Sequence, residues 1–221
     1  HVWALSQDPE GCRLVQEAFD AAHSEQALAA MAEELHGRVT KAMRCPHANH
    51  VLQKLIALAQ PETMQFVVDE LLARDGVVAQ ATRHRYGCRI VQQLLKRCPA
   101  WQVEGLAEGL LAGAGSFACH PFGNYVIQHF AHRCTEEQRH RLVLVLERGV
   151  GVIGKSSSGC SVVNAAFVHA AADDKALLAR AILNEGGFVR TLATTRQGSS
   201  VVINVLRALK GKELDLAHSL L

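Results

Sequence analysis

From His120 to Gln128 the chain reads His-Pro-Phe-Gly-Asn-Tyr-Val-Ile-Gln. On a helical wheel at about 100° per residue, with Asn124 at zero, Val126, Ile127, Phe130 and Cys134 fall between about 200° and 300°. They form one apolar stripe of an amphipathic helix. Asn124, Gln128 and Tyr125 fall at about 0°, 40° and 100°, so two amides lie one turn apart with an aromatic ring at their flank. The frame recurs at Gly11-Cys12-Arg13-Leu14-Val15-Gln16, at Ala48-Asn49-His50-Val51-Leu52-Gln53 and at Gly87-Cys88-Arg89-Ile90-Val91-Gln92. It continues, more loosely, at Gly159-Cys160-Ser161-Val162-Val163-Asn164 and Gly198-Ser199-Ser200-Val201-Val202-Ile203.

The first variable positions, 12, 49, 88, 124, 160 and 199, are spaced by 37, 39, 36, 36 and 39 residues. A period of this length signals stacked helical units. The register extends backwards. Ten residues earlier stand Val2, Val39, Val78, Ala114, Val150 and Val189, followed three residues on by Leu5, Ala42, Ala81, Phe117, Ile153 and Leu192. Six units therefore align without a gap. They run at about 1–37, 38–75, 76–113, 114–148, 149–186 and 187–221.

Each unit is expected to hold a short helix, a longer helix with the variable triplet, and a third helix. In the first these are Val2 to Ser6, Pro9 to Ala22, and Ser24 to Gly37, with Ser24 as N-cap and Gly37 as terminator. Pro46 and Pro61 are expected to open helices in the second unit and Pro99 in the third, since proline suits the first helical turn. Thr135-Glu136-Glu137-Gln138 predicts a capping box. Asp173 and Asp174 favour a helix N-terminus. The sixth unit begins near Gly187 and is cut short over 215–221. The array counts as one continuous domain, because each unit contacts mainly its neighbours.

The pairs Leu14/Val15, Val51/Leu52, Ile90/Val91, Val126/Ile127, Val162/Val163 and Val201/Val202 are always aliphatic and are expected to be core. The positions beside them carry Asn, Gln, Arg, His and Tyr. A merely solvated helix face favours Glu, Lys and Ala. Amides offer a donor and an acceptor together, as base edges require. Arg, His and Tyr present flat faces on which bases stack.

Composition adds less. An apolar fraction of 49% supports a continuous core, and a net charge of +2 neither indicates nor excludes nucleic acid. Seven cysteines, an odd number, include no CxxC pair, and Cys12, Cys88 and Cys160 share one repeat position. This points to a reduced, intracellular protein rather than a disulfide framework. No apolar run is long enough to span a membrane, and no signal peptide opens the chain. A start at His1 rather than Met suggests a piece of something longer.

The phrases Tyr86-Gly87-Cys88-Arg89-Ile90-Val91-Gln92, Phe122-Gly123-Asn124-Tyr125-Val126-Ile127-Gln128-His129 and Ala48-Asn49-His50-Val51-Leu52-Gln53-Lys54 resemble the Pumilio, or PUF, repeat. The resemblance covers nearly the whole chain. It implies an all-α, right-handed α-solenoid, an armadillo-like superhelix of about six three-helix repeats. Such a protein binds single-stranded RNA on its concave face, one base per repeat, with the first repeat nearest the RNA 3′ end. It implies no catalysis, no cofactor and no metal, a monomer acting on messenger RNA 3′ untranslated regions in post-transcriptional regulation, and protein partners on the convex face. The expected compartment is the cytoplasm, with the nucleolus as the alternative.

By the same resemblance, Asn49/Gln53 and Asn124/Gln128 imply uracil, and Cys12/Gln16 and Cys88/Gln92 imply adenine, the shorter Cys leaving room for the larger base. Arg13, His50, Arg89 and Tyr125 would stack between bases. The implied core is 5′-U-A-U-A-3′. Cys160/Asn164 and Ser199/Ile203 depart from the pattern, and Ser161 and Ser200 offer no stacking face. These two repeats are expected to contribute shape and phosphate contact, the latter through Lys155, Arg190 and Arg196.

Two other architectures compete. One is a related solenoid that binds structured RNA by its backbone, as nucleolar relatives do, and the other an armadillo-like scaffold for protein. Three local motifs compete as well. Residues 149–156 fit the phosphate-loop pattern G-x-x-x-x-G-K-[ST], but that loop needs a parallel sheet, and the residues fall in register as a repeat helix. Cys45, His47 and His50 have spacings of a metal site without a second cluster. His129 and His132 beside Cys134 suggest a Cys/His pair with nothing to orient the base, and Cys134 is expected in the core.

Overall fold

The computed structural model describes every residue from His1 to Leu221, as seventeen α-helices with no strand. The first repeat contains α1 (Val2–Ser6), α2 (Gly11–Asp20) and α3 (Glu25–Ala32), the last prolonged by a 3-10 turn at Glu33–Leu35. The second contains α4 (Val39–Ala42), α5 (Ala48–Leu58) and α6 (Gln65–Leu72). In the third, α7 (Val77–Arg83) and α8 (Gly87–Arg97) lead into α9 (Glu104–Ala118). The fourth continues with α10 (Gly123–Arg133) and α11 (Glu136–Arg148). The fifth has α12 (Val150–Ile153), α13 (Ser157–His169) and α14 (Ala172–Asn184), and the sixth α15 (Phe188–Ala193), α16 (Arg196–Ala208) and α17 (Gly211–Ser219).

Local chemistry sets most boundaries. The Ser24 hydroxyl accepts from the Ala27 amide at the start of α3, and Thr135 and Gln138 form the full capping box of α11. Asp173 and Asp174 lie in the first turn of α14, where carboxylates suit the positive end of the helix. Gly37, Gly76 and Gly187 take positive φ of 71°, 80° and 69° at the junctions before α4, α7 and α15. A side chain resists that conformation. No such glycine stands between Leu110 and Ala118, where Gly113 and Gly115 are helical. The third helix of the third repeat fuses with the short helix of the fourth, contrary to the three-helix expectation. Pro46, Pro61 and Pro99 also fall short of opening helices. Each sits in a preceding turn, and Met64 and Gln102 donate to the Pro61 and Pro99 carbonyls three residues back, before α-helix begins.

The chain resolves into two compact halves, His1–Leu110 and Leu111–Leu221. Within the N-terminal half α5 packs between α2 and α8, and within the C-terminal half α13 packs between α10 and α16. The expected aliphatic pairs from Val51/Leu52 to Val201/Val202 are buried, as is Val15. Leu14 is the exception, 58% exposed. The equivalent Val51 and Ile90 are buried on helices that have an earlier repeat packed against them, and α2 has none. Polar ties join successive repeats. Glu70 accepts from the Gly37 and Val39 amides, Lys54 pairs with Asp20 at 2.6 Å, and His140 Nδ1 meets Asp174 Oδ1 at 2.6 Å.

Candidate nucleic-acid interface

The longer helix of each repeat begins the same way. Four residues before the first variable position stands a side chain that accepts from backbone amides of the first turn. In the first repeat Asp8 Oδ2 accepts from the Glu10 and Gly11 amides. Cys45 Sγ accepts from Ala48, and His84 Nδ1 from Tyr86 and Gly87. His120 Nδ1 accepts from Phe122 and Gly123, Ser156 from Gly159, and Thr195 from Gly198. Each satisfies donors that a helix start leaves without a partner. Burial, followed by the charges of Arg44 and Arg85, pushes the His84 pKa below its ordinary value, which favours the neutral ring that can accept.

The recurring glycine has a steric cause. A Cβ on Gly87 would lie 2.7 Å from the Ala81 carbonyl oxygen, and one on Gly159 1.8 Å from that of Ile153. The short helix thus ends directly over the start of the longer one. Its last turn and the cap together fix where the variable triplet points.

The first reading position is recessed. Asn49 is 1% and Asn124 4% exposed, and Cys12, Cys88 and Cys160 are also buried. Asn49 Nδ2 donates to the Cys45 carbonyl at 2.8 Å, and Asn124 Nδ2 to those of His120 and Pro121 at 2.7 and 3.0 Å. Their Oδ1 atoms accept from Gln53 Nε2 and Gln128 Nε2, each at 2.9 Å. The two amides read from the sequence as neighbours are thus bonded to each other, and the outer one is held by the inner. Gln16 is held differently, its Nε2 donating to the Cys12 carbonyl at 2.9 Å. Gln92 Oε1 accepts a long bond from Arg89, and its Nε2 is buried without a partner. Burial raises the Cys88 and Cys160 pKa values, so both thiols stay neutral. Each donates to a nearby carbonyl, Cys88 to Arg85 and Cys160 to Gly154.

Beside these amides, Arg13, His50, Arg89 and Tyr125 are exposed, Tyr125 by 50%. The N-terminal half therefore brings together three equivalent sets on α2, α5 and α8. The C-terminal half carries the fourth, Asn124, Tyr125 and Gln128 on α10.

The fifth and sixth sets differ. Asn164 faces the next repeat, where its Nδ2 donates to the Gln197 carbonyl at 3.3 Å and its Oδ1 accepts from Asn204 at 3.0 Å. Ser199 donates to the Arg196 carbonyl, and Ile203 is 49% exposed at the second reading position. Ser161 bonds back to Ser157. Lys155, Arg190 and Arg196 are exposed.

Residues 149–156 form α12 and a turn, and Leu142 to Leu146 lie in α11, so the phosphate-loop sequence has helices where that loop needs strands. Cys45 serves as a cap and His50 lies on the α5 surface, while Cys134 is only half-buried at the end of α10. The sequence reading missed two things. The caps recur in position but vary in chemistry, and Asn204 lies outside the variable triplet.

A family model described as the Pumilio-family RNA binding repeat matches residues 1–36, 43–72, 81–111 and 115–146. Pumilio homology domain family member 4 of Saccharomyces cerevisiae is 30% identical over 145 residues, 64% of this chain and 16% of that protein. Putative pumilio homolog 13 of Arabidopsis thaliana is 27% identical over 74% of this chain and 31% of its own length. The chain thus spans less than a third of either relative. Among solved structures, PUF-8 in complex with PBE-RNA superposes with a TM-score of 0.87 at 22% identity, over 96% of this chain and 62% of that one. The Puf3 RNA binding domain bound to a Cox17 RNA 3′ untranslated recognition sequence gives 0.84 at 20% identity, over 98% of this chain and 65% of that one. The fold is the α-solenoid of these domains, and with repeats matched over more than half its length the chain belongs to the Pumilio family of RNA-binding repeat proteins.

Proposed function

We propose that the protein binds single-stranded RNA in a sequence-specific manner, one base to each of the first four repeats, without a catalytic step. The observation that carries this reading is the repeated, half-satisfied glutamine. Gln16, Gln53 and Gln128 each have one amide nitrogen bonded inside the protein and a carbonyl oxygen with no protein partner. In Gln92 the nitrogen lacks the partner instead. Polar groups at a partly buried surface are normally paired. Four glutamines at one helical position with valence to spare are ready for a ligand that offers both a donor and an acceptor. A base edge does so.

The recessed residue then sets which base fits. Where Asn49 or Asn124 holds the glutamine by its Nε2, the glutamine oxygen is left to accept, and uracil N3–H is its complement. Uracil carbonyls take the remaining amide proton. Where Cys12 or Cys88 stands instead, the smaller side chain leaves room for adenine, whose N6 amino group donates and N1 accepts. Arg13, His50, Arg89 and Tyr125 stack on neighbouring bases at about 1–3 kcal/mol each. With the first repeat nearest the 3′ end, the core reads 5′-U-A-U-A-3′. Messenger RNA in the cytoplasm is the substrate this reading favours, with regulation after transcription as the outcome.

Competition binding at fixed salt tests it. The UAUA core should outcompete each single-base variant by roughly tenfold or more, about 1.4 kcal/mol per mismatch. Equal competition by all variants would replace this reading with backbone binding of structured RNA.

A further inference from the structure

Between the second and third repeats, within the N-terminal half, lies an open cavity of about 400 Å³ bordered by Arg44, Gln80, Arg83 and His84. No carboxylate lines it. Arg44 Nη2 donates to Gln80 Oε1 at 2.9 Å, which fixes one guanidinium at the rim. Arg85 stands just outside, its guanidinium 4.8 Å from the Tyr86 ring centre.

The placement is more telling than the charge. Arg44 and Arg83 occupy the same register, five residues before Asn49 and Cys88. Each immediately precedes the residue that caps its repeat's longer helix, Cys45 for α5 and His84 for α8. The cavity is lined by the turn that follows α4 and by one side of α7, so both arginines border it just ahead of the longer helices α5 and α8. Burial lowers the His84 pKa first, and the nearby charges of Arg44 and Arg85 lower it further. His50 and Arg89 lie in the first turns of the same helices. Gln7, Cys119, Lys155 and Thr194 hold the equivalent register in repeats one, four, five and six, so cations in two successive repeats mark this junction in particular.

We infer that this cavity binds one phosphodiester of the RNA strand, gripped by Arg44 and Arg83 beside the bases read by the second and third repeats. The inference rests on the RNA-binding function proposed above. Guanidinium groups suit it, because their planar forks match the oxygens of a phosphate. The contact adds affinity without sequence preference, and it anchors the strand where U and A are read.

The test uses RNAs with a UAUA core in which one linkage at a time is an uncharged methylphosphonate. They are bound to the wild-type chain and to the R44Q/R83Q variant. Wild type should lose roughly three- to tenfold at one linkage next to the bases of repeats two and three, the scale of one or two partly exposed charge contacts. The variant should lose as much on unmodified RNA and less than twofold more at that linkage. Its log Kd against log salt should flatten by about 0.7, the single-strand value for one phosphate. An unchanged Kd in the variant, or wild-type binding indifferent to every linkage, would overturn the site. UAUA selectivity in the same experiment separates the two claims: if it persists, only the phosphate site falls, and if wild type shows none, the base reading falls as well.

Discussion

Replacing Asn124 by alanine separates what holds the interface from what touches the ligand. The Asn124 side chain makes two bonds to the His120 and Pro121 carbonyls and one to Gln128, and the residue is buried. At about 1 kcal/mol net for each bond, their loss costs about 3 kcal/mol. Alanine returns up to ~0.7 kcal/mol through helix propensity. The net expectation is a destabilisation of about 2 kcal/mol by chemical denaturation, with Gln128 released as well. Gln128→Ala removes one bond at a half-exposed site and should cost less than about 1 kcal/mol. Fluorescence-anisotropy titration should show both variants losing preference for uracil at the base opposite the fourth repeat. The alanine at 124 should lose clearly more stability than the alanine at 128. If Asn124→Ala is as stable as wild type, the inner amide does not hold the outer one. If Gln128→Ala keeps its uracil preference, the glutamine does not read the base.

Asn124→Ser combined with Gln128→Glu should move preference at that base from uracil toward guanine, which single-base competition would show; retained uracil preference counts against reading by this pair. Asn164→Ala should lower stability by about 1–2 kcal/mol through its lost bonds to Gln197 and Asn204, yet leave base preference unchanged, and the two bases 5′ of the core should discriminate by less than about tenfold in the same assay. Gly87→Ala should destabilise by about 1–3 kcal/mol, because its Cβ meets the Ala81 carbonyl and overpacking carries that cost, whereas Ala48→Gly should cost about 1 kcal/mol or less; a tolerated Gly87→Ala in urea denaturation would refute the steric account. The His84 pKa is depressed on folding, so its contribution to stability is complete above the ordinary value of 6.5 and is lost as pH falls below it. Substituting His84→Asp, the cap chemistry of the first repeat, should flatten stability between pH 7 and pH 5 relative to wild type.

The repeat register was legible because it rests on apolar spacing, which each helix needs for itself. Val51/Leu52 and Ile90/Val91 are core for that reason, and the Thr135 box is a local four-residue rule. Side-by-side amides at Asn124 and Gln128 also follow from helix geometry alone. What escaped depends on neighbours. Asn164 looks like a shortened reader until Asn204, forty residues on, is seen to hold it. The caps Asp8, Cys45, His84, His120, Ser156 and Thr195 share a hydrogen-bond acceptor and no other property, so residue identity hides the position they have in common. The fusion of α9 turns on the conformation of Gly113 and Gly115, which glycine, free in φ, does not declare in sequence.

Selection of RNAs from a random pool, followed by sequencing, tests the central claim most directly. Base reading by the first four repeats predicts enrichment of unpaired 5′-U-A-U-A-3′, with weak preference at the two positions 5′ of it. Enrichment of a hairpin shape without a shared sequence, or of no RNA at all at low salt, would contradict it.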